Sequence, residues 1–272
     1  MAVGGYLRRL REEKGITREK AGYAIRGSES KISRMELGRV GFKERDIADL
    51  LELYGFPAGA EREAVLNLAR EANDPGWWQT YDDAFPAWFQ NYIGLEAAAV
   101  LIRSYEVQLI PGLLQTEDYA RAVFMTGSPA GDSVDRRLAV RMQRQAILSR
   151  DEPPTLWAVV EESAVRRPVG GPRVMRAQIR HLLTMMERPR VVVQVMPFGF
   201  GTHGAEGSAF SLLRFPEQAL ADVVYLEHLA GSQYIDRADI VQRYTAAMTQ
   251  LSNDAQTPDQ TVETLESLLR QA

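Results

Sequence analysis

The sequence predicts an α+β protein in two parts. An all-α domain spans residues 1–73, and a larger α+β domain with a mixed sheet of about four strands spans residues 74–272. Three observations carry this. Short helical patterns, each stopped by a glycine, crowd the first quarter of the chain. Asn73-Asp74-Pro75-Gly76 then breaks the pattern with turn-forming residues. From Thr155 the apolar runs become short, β-branched and strand-like. The length of 272 residues agrees with two domains, at roughly 150 residues each.

The first predicted helix covers Gly5 to Lys14, buries Tyr6, Leu7 and Leu10, and ends at Gly15. Thr17 is placed to cap a second helix reaching Ile25, in which Gly22 suits a close helix crossing and Gly27 makes the following turn. A third helix starts from the capping residue Ser28 and stops at Gly38. Asp46 to Tyr54 is a fourth, with Ile47, Leu50 and Leu51 on one face, and Ala60 to Ala72 a fifth. The connector, about residues 74–94, concentrates Trp77, Trp78, Tyr81, Phe85, Trp88, Phe89 and Tyr92. Packing between domains, a dimer interface and the wall of a ligand pocket are all open readings of it.

Beyond the connector, Leu95 to Val107 reads as helical, and Ile110-Pro111-Gly112-Leu113-Leu114 as a turn before a helix capped near Thr116. Strands are predicted at Leu156 to Glu161, Val191 to Met196, Ala209 to Phe215 and Val223 to Glu227. Helices are predicted at Arg173 to Glu187, Ile235 to Leu251 and Asp259 to Arg270.

The third helix carries the functional signal. At about 100° per residue, Ile32, Met35 and Glu36 share one side with Ser28, while Ser30, Ser33 and Arg34 point away. Small hydroxyls and an arginine opposite a packed edge suit a helix laid in a DNA major groove. Ser30, Ser33 and Arg34 are expected at base edges, with Ser28, Glu29 and Lys31 also in the DNA-binding set around them. Glu29 can accept from a cytosine amino group or repel phosphates. Thr17, Arg18, Arg39 and Lys43 are expected on the DNA backbone, which positions without reading sequence. Residues 1–45 hold twelve lysines and arginines against six glutamates, a net +6. The remaining residues hold 20 basic against 30 acidic side chains, a net −10. Positive charge is thus gathered where phosphates would be neutralised. The bland alternative is a solvated face of a helical bundle.

Ile16-Thr17-Arg18-Glu19 and Ser30-Lys31-Ile32-Ser33-Arg34-Met35-Glu36-Leu37-Gly38 resemble the Xre, or phage-repressor, type of helix-turn-helix regulator. The chain departs from that pattern in having Arg26 then Gly27 at the turn, and Arg18 and Glu29 where glutamine is common. Three later stretches look like the appended domain of WhiJ-like and antitoxin-like bacterial regulators. They run Ile110 to Arg121, Arg166-Arg167-Pro168-Val169-Gly170-Gly171, and Val193-Gln194-Val195-Met196-Pro197. The resemblance implies a phage-repressor-like domain on double-stranded DNA, and a regulator commonly encoded beside a short companion protein that it binds. A homodimer is expected, because one small helix-turn-helix contacts few bases.

Other chemistry has little support. The absence of cysteine excludes disulfides and thiolate metal sites. No apolar run approaches a membrane span and no apolar signal segment opens the chain, so no membrane association and a cytoplasmic location are expected. Glu161, Glu162 and Glu227 with His203 and His228 invite a metal or acid–base reading, yet the three histidines, His181 included, lack catalytic-motif spacing. Gly199 to Gly204 resembles a phosphate loop only superficially. No enzyme, cofactor or metal is expected. Arg166 and Arg167 suit an unknown anionic effector or, as the simpler and favoured reading, a helix-ending charge pair before a loop.

Overall fold

The computed structural model describes residues 2–271 except 37, 39, 72, 74, 75, 82, 83, 128–130, 206, 207 and 217–219. The chain divides into two compact units, residues 1–79 with 216–221, and residues 80–215 with 222–272.

The first unit contains helices α1 (Ala2–Glu13), α2 (Arg18–Ala24), α3 (Glu29–Glu36), α4 (Glu44–Leu53) and α5 (Ala60–Glu71). Its helix ends follow from backbone conformation. Gly15 has φ +61°, and the Gly15 and Ile16 amides return to the carbonyls of Glu12 and Arg11. Gly55, φ +71°, closes α4 in the same way through Glu52 and Leu51. After α2 the left-handed residue is Arg26, φ +54°, and not Gly27, whose amide instead donates to the Gly22 carbonyl at 2.8 Å. The turn therefore bears a side chain where glycine is favoured, which local glycine placement does not reveal. Leu7, Ala21, Ile25, Ile32, Met35, Ile47, Leu50 and Leu51 form the core. Leu10 is only half-buried.

The second unit is built on a six-stranded mixed sheet of order β3-β2-β1-β4-β5-β6. Its strands are β1 (Leu101–Glu106), β2 (Thr155–Glu161), β3 (Val191–Met196), β4 (Phe210–Arg214), β5 (Val223–His228) and β6 (Gly231–Ile235). β1, β2 and β3 pair in parallel, and β1, β4, β5 and β6 antiparallel. The parallel pairs require long crossovers. Helices α7 (Glu117–Gly127) and α8 (Gly131–Gln145) lie in the first, and α9 (Glu162–Arg166) and α10 (Pro172–Met186) in the second. Helix α6 (Ala87–Ala98) precedes the sheet, and α11 (Ala238–Asp254) and α12 (Pro258–Gln271) follow it.

Two expectations are corrected. The sheet has six strands, not about four, and Leu95 to Val107 is not one helix: α6 ends at Ala98 and β1 begins at Leu101. Ala97-Ala98-Ala99-Val100-Leu101-Ile102 is apolar throughout, and such a run suits a helix or a buried strand. Pairing on both sides decides for a strand, because β1 lies between β2 and β4. The β3 edge is closed by the α11–α12 connection and the first turn of α12, with the Gln256 amide donating to the Val195 carbonyl and the Val195 amide to the Thr261 hydroxyl.

Candidate nucleic-acid interface

Helix α3 is held from two sides by glycines that admit no side chain. A Cβ on Gly4 of α1 would lie 2.3 Å from the Met35 carbonyl oxygen, and one on Gly22 of α2 would lie 2.9 Å from the Ser28 carbonyl carbon. Both ends of α3 thus meet neighbouring backbone directly. The Ser28 hydroxyl caps it by accepting from the Lys31 amide at 3.2 Å, and Thr17 caps α2 by accepting from the Lys20 amide at 3.2 Å.

Below the helix, Ile32 and Met35 are buried in the core, with Glu36 beside them. Glu36 is a buried carboxylate shared by two arginines. Arg11 donates through Nε at 2.5 Å and Nη2 at 3.2 Å, and Arg18 through Nε at 3.0 Å. The hydrogen bond to Glu36 leads the causes that raise the Arg11 pKa, overcoming its desolvation. Arg11 also donates to the Ile16 carbonyl at 2.8 Å, so one ion cluster ties α1, α2 and α3 together.

The opposite side of α3 is open. Glu29, Ser30 and Arg34 are exposed and Ser33 is half-buried. Arg34 Nε approaches the Ser30 carbonyl at 3.4 Å, a weak bond that leaves the guanidinium outward. Thr17 and Lys43 are exposed, Lys43 immediately before α4. Arg18 and Lys31 are more constrained: Arg18 shares Glu36, and Lys31 Nζ meets Asp46 at 2.5 Å. Arg39 lies outside the described residues.

Ion pairing sorts the basic residues of this unit further. Arg8, Arg45 and Arg70 face Glu12, Asp49 and Glu44. Lys14, Lys20, Arg26, Arg34 and Lys43 are exposed and have no acidic partner among the described residues. Lys20 and Arg26 stand out, since they sit on α2 and in the turn before α3. Charge counting locates the basic region, but only the fold separates free cations from paired ones.

In the second unit, Glu161 and His203 do meet, with His203 Nε2 2.9 Å from Glu161 Oε1 and the Tyr105 hydroxyl donating to the same oxygen at 2.7 Å. Glu227 and His228 are exposed on β5. No grouping of three potential metal ligands occurs among the described residues. Arg166 is paired with Glu162 at 2.5 Å, while Arg167 is exposed. No described helix is long and apolar enough to cross a membrane.

Comparison with known families agrees with this division. Residues 2–65 match a helix-turn-helix domain, which points to a DNA-binding regulator. Residues 89–267 match a domain of unknown function, DUF5753. No curated protein and no solved structure is detectably similar to the chain. The second match spans most of the sequence, and the chain belongs to the DUF5753 family, joined here to an amino-terminal helix-turn-helix domain.

Proposed function

We propose that the protein is a sequence-specific transcriptional regulator of the Xre type that binds double-stranded DNA as a homodimer. The observation that carries this reading is α3 itself, packed through Ile32 and Met35, exposed at Glu29, Ser30 and Arg34, and bordered by unpaired Lys20, Arg26 and Lys43. Arg34 is the base reader, Ser30 and Ser33 make shorter-range contacts, and the free cations hold phosphates. Two copies place their reading helices about 34 Å apart on one groove face. The carboxy-terminal domain senses an effector or partner, and the protein works in the cytoplasm and not as an enzyme.

Mapping bound genomic fragments supplies the operator, and gel-shift titration then tests the reading. Replacing Arg34 and Ser33 by alanine is expected to weaken operator binding and relax base preference, with about 1–3 kcal/mol of discrimination lost at a bidentate arginine contact. Unchanged affinity and preference would remove α3 as the reading helix.

The acidic balance of residues 46–272, net −10, favours a second reading. Here the protein is antitoxin-like and chiefly neutralises a short companion protein, its helix-turn-helix being incidental. Binding to random duplex separates the two readings. A groove binder loses affinity with a log–log salt slope of about −0.9 per neutralised phosphate, whereas a flat response favours the interaction module.

A further inference from the structure

The aromatic connector leads into a cluster, wholly within the second unit, whose charges are not all accounted for. Arg137, Arg141 and Arg144 occupy one face of α8. Arg144 is complete: Nε and Nη2 each reach Glu96 at 2.8 Å, and both side chains are almost fully buried under Phe89 and Tyr92. Arg141 is partly satisfied. Its Nη1 donates to Gln115 Oε1 at 2.7 Å, but its buried Nε has no partner. Arg137 lies 4.4 Å from the Phe124 ring centre and 5.7 Å from that of Phe85, half-buried, with no carboxylate paired to it among the described residues.

Near Arg141 and Arg144, at the end of β1, is Glu106, half-buried and without a hydrogen-bond partner among the described residues. Burial first, then the nearby Glu227, pushes its carboxyl up to about 8. Of the three guanidinium groups, only that of Arg144 is hydrogen-bonded to a carboxylate among the described residues. The frame is rigid. A Cβ on Gly112 would lie 2.7 Å from Arg141 Nη1, and Gln145 donates to the carbonyls of Gly112 and Gln115 at 3.0 and 2.7 Å.

We infer that this cluster is a binding site for a small aromatic monocarboxylate, with its carboxylate on Arg137 and its ring against Phe85 and Phe124. A guanidinium takes a carboxylate through two parallel hydrogen bonds, and aromatic walls accept a ring edge-on or offset. A carboxylate there gives Arg137 the ion pair it lacks among the described residues, beside Arg141, whose buried Nε has no partner, on the same Phe124 ring. The site specifies the effector class for the regulator proposed above; only its coupling to DNA rests on that reading.

Calorimetric titration of the full chain with phenylacetate tests the site, with acetate and phenylacetamide as controls. Phenylacetate is expected to bind, and each control to bind at least about tenfold more weakly, since one lacks the ring and the other the charge. Arg137→Gln is expected to reduce phenylacetate affinity by a similar factor. Wild-type affinity should fall as pH rises through about 8, where Glu106 ionises among Glu227, Arg141, Arg144 and Tyr119, whereas Glu106→Gln should flatten the profile. No phenylacetate binding at millimolar concentration, or equal binding by wild type and Arg137→Gln, overturns the site. Gel shifts with and without phenylacetate separate the two proposals: carboxylate binding without DNA binding sinks only the regulator, and the reverse sinks only the site.

Discussion

In the amino-terminal unit, Arg11 and Arg18 converge on the single buried carboxylate of Glu36, while Lys14, Lys20, Arg26, Arg34 and Lys43 remain exposed and unpaired. In the carboxy-terminal unit, Arg144 is buried with Glu96, but Arg137 and Arg141 lie half-buried against aromatic rings. Each unit uses one satisfied ion cluster as a fastening and leaves further cations for something else. The surroundings of those spare cations set what they can recognise. In water they attract a polyanion at long range and weakly, dependent on salt. Among rings and with little solvent they favour one small anion of defined shape.

Removing either fastening gives the largest expected effect. Glu36→Ala leaves Arg11 without its buried partner, and Glu96→Ala does the same to Arg144; each is expected to destabilise its own unit by about 3–5 kcal/mol. Denaturant melts followed by hydrogen exchange would check this, and equal loss of protection in both units from either variant would break the comparison. The next effect is steric. Gly22→Val drives a side chain into the Ser28 backbone, where an added Cβ already lies 2.9 Å from the carbonyl carbon. A loss of about 1–3 kcal/mol is expected, together with weaker DNA binding from a displaced α3. Full stability would show that the crossing is looser than described. The smallest effect concerns the free cations. Lys20→Ala and Arg26→Ala should leave the melting temperature unchanged and each lower the salt slope of DNA binding by about 0.9. A slope equal to wild type would exclude those two side chains from the phosphate contacts.

Legibility differed between the two units for a physical reason. The helices of the first unit are ended by local devices, Thr17 and Ser28 as caps and Gly15, Gly38 and Gly55 at positive φ, and such devices are written in adjacent residues. The division of α3 into a packed and an open side was likewise legible, because it depends on helical period alone. In the second unit, the strands around Leu156, Val191, Phe210 and Val223 were readable from β-branched apolar runs. Strand β6, Gly231-Ser232-Gln233-Tyr234-Ile235, has no such run and is a strand because β5 pairs with it. The aromatic connector left three readings open. Among the described residues the structure brings Phe85, Phe89 and Tyr92 together with Phe124 and Tyr225, partners that are distant in sequence.

By itself the sequence determined where short helices begin and end, which face of α3 is apolar, and where positive charge gathers, all consequences of neighbouring residues and backbone preference. Tertiary structure alone decided that Arg26 takes the left-handed turn, that Leu101 to Glu106 is a central strand, and that Arg18 and Lys31 are paired while Lys20 and Arg26 are free. The strand and the ion pairs depend on partners supplied by remote parts of the chain, and the Arg26 turn on the closure of Gly27 onto Gly22; neither composition nor period encodes these partners.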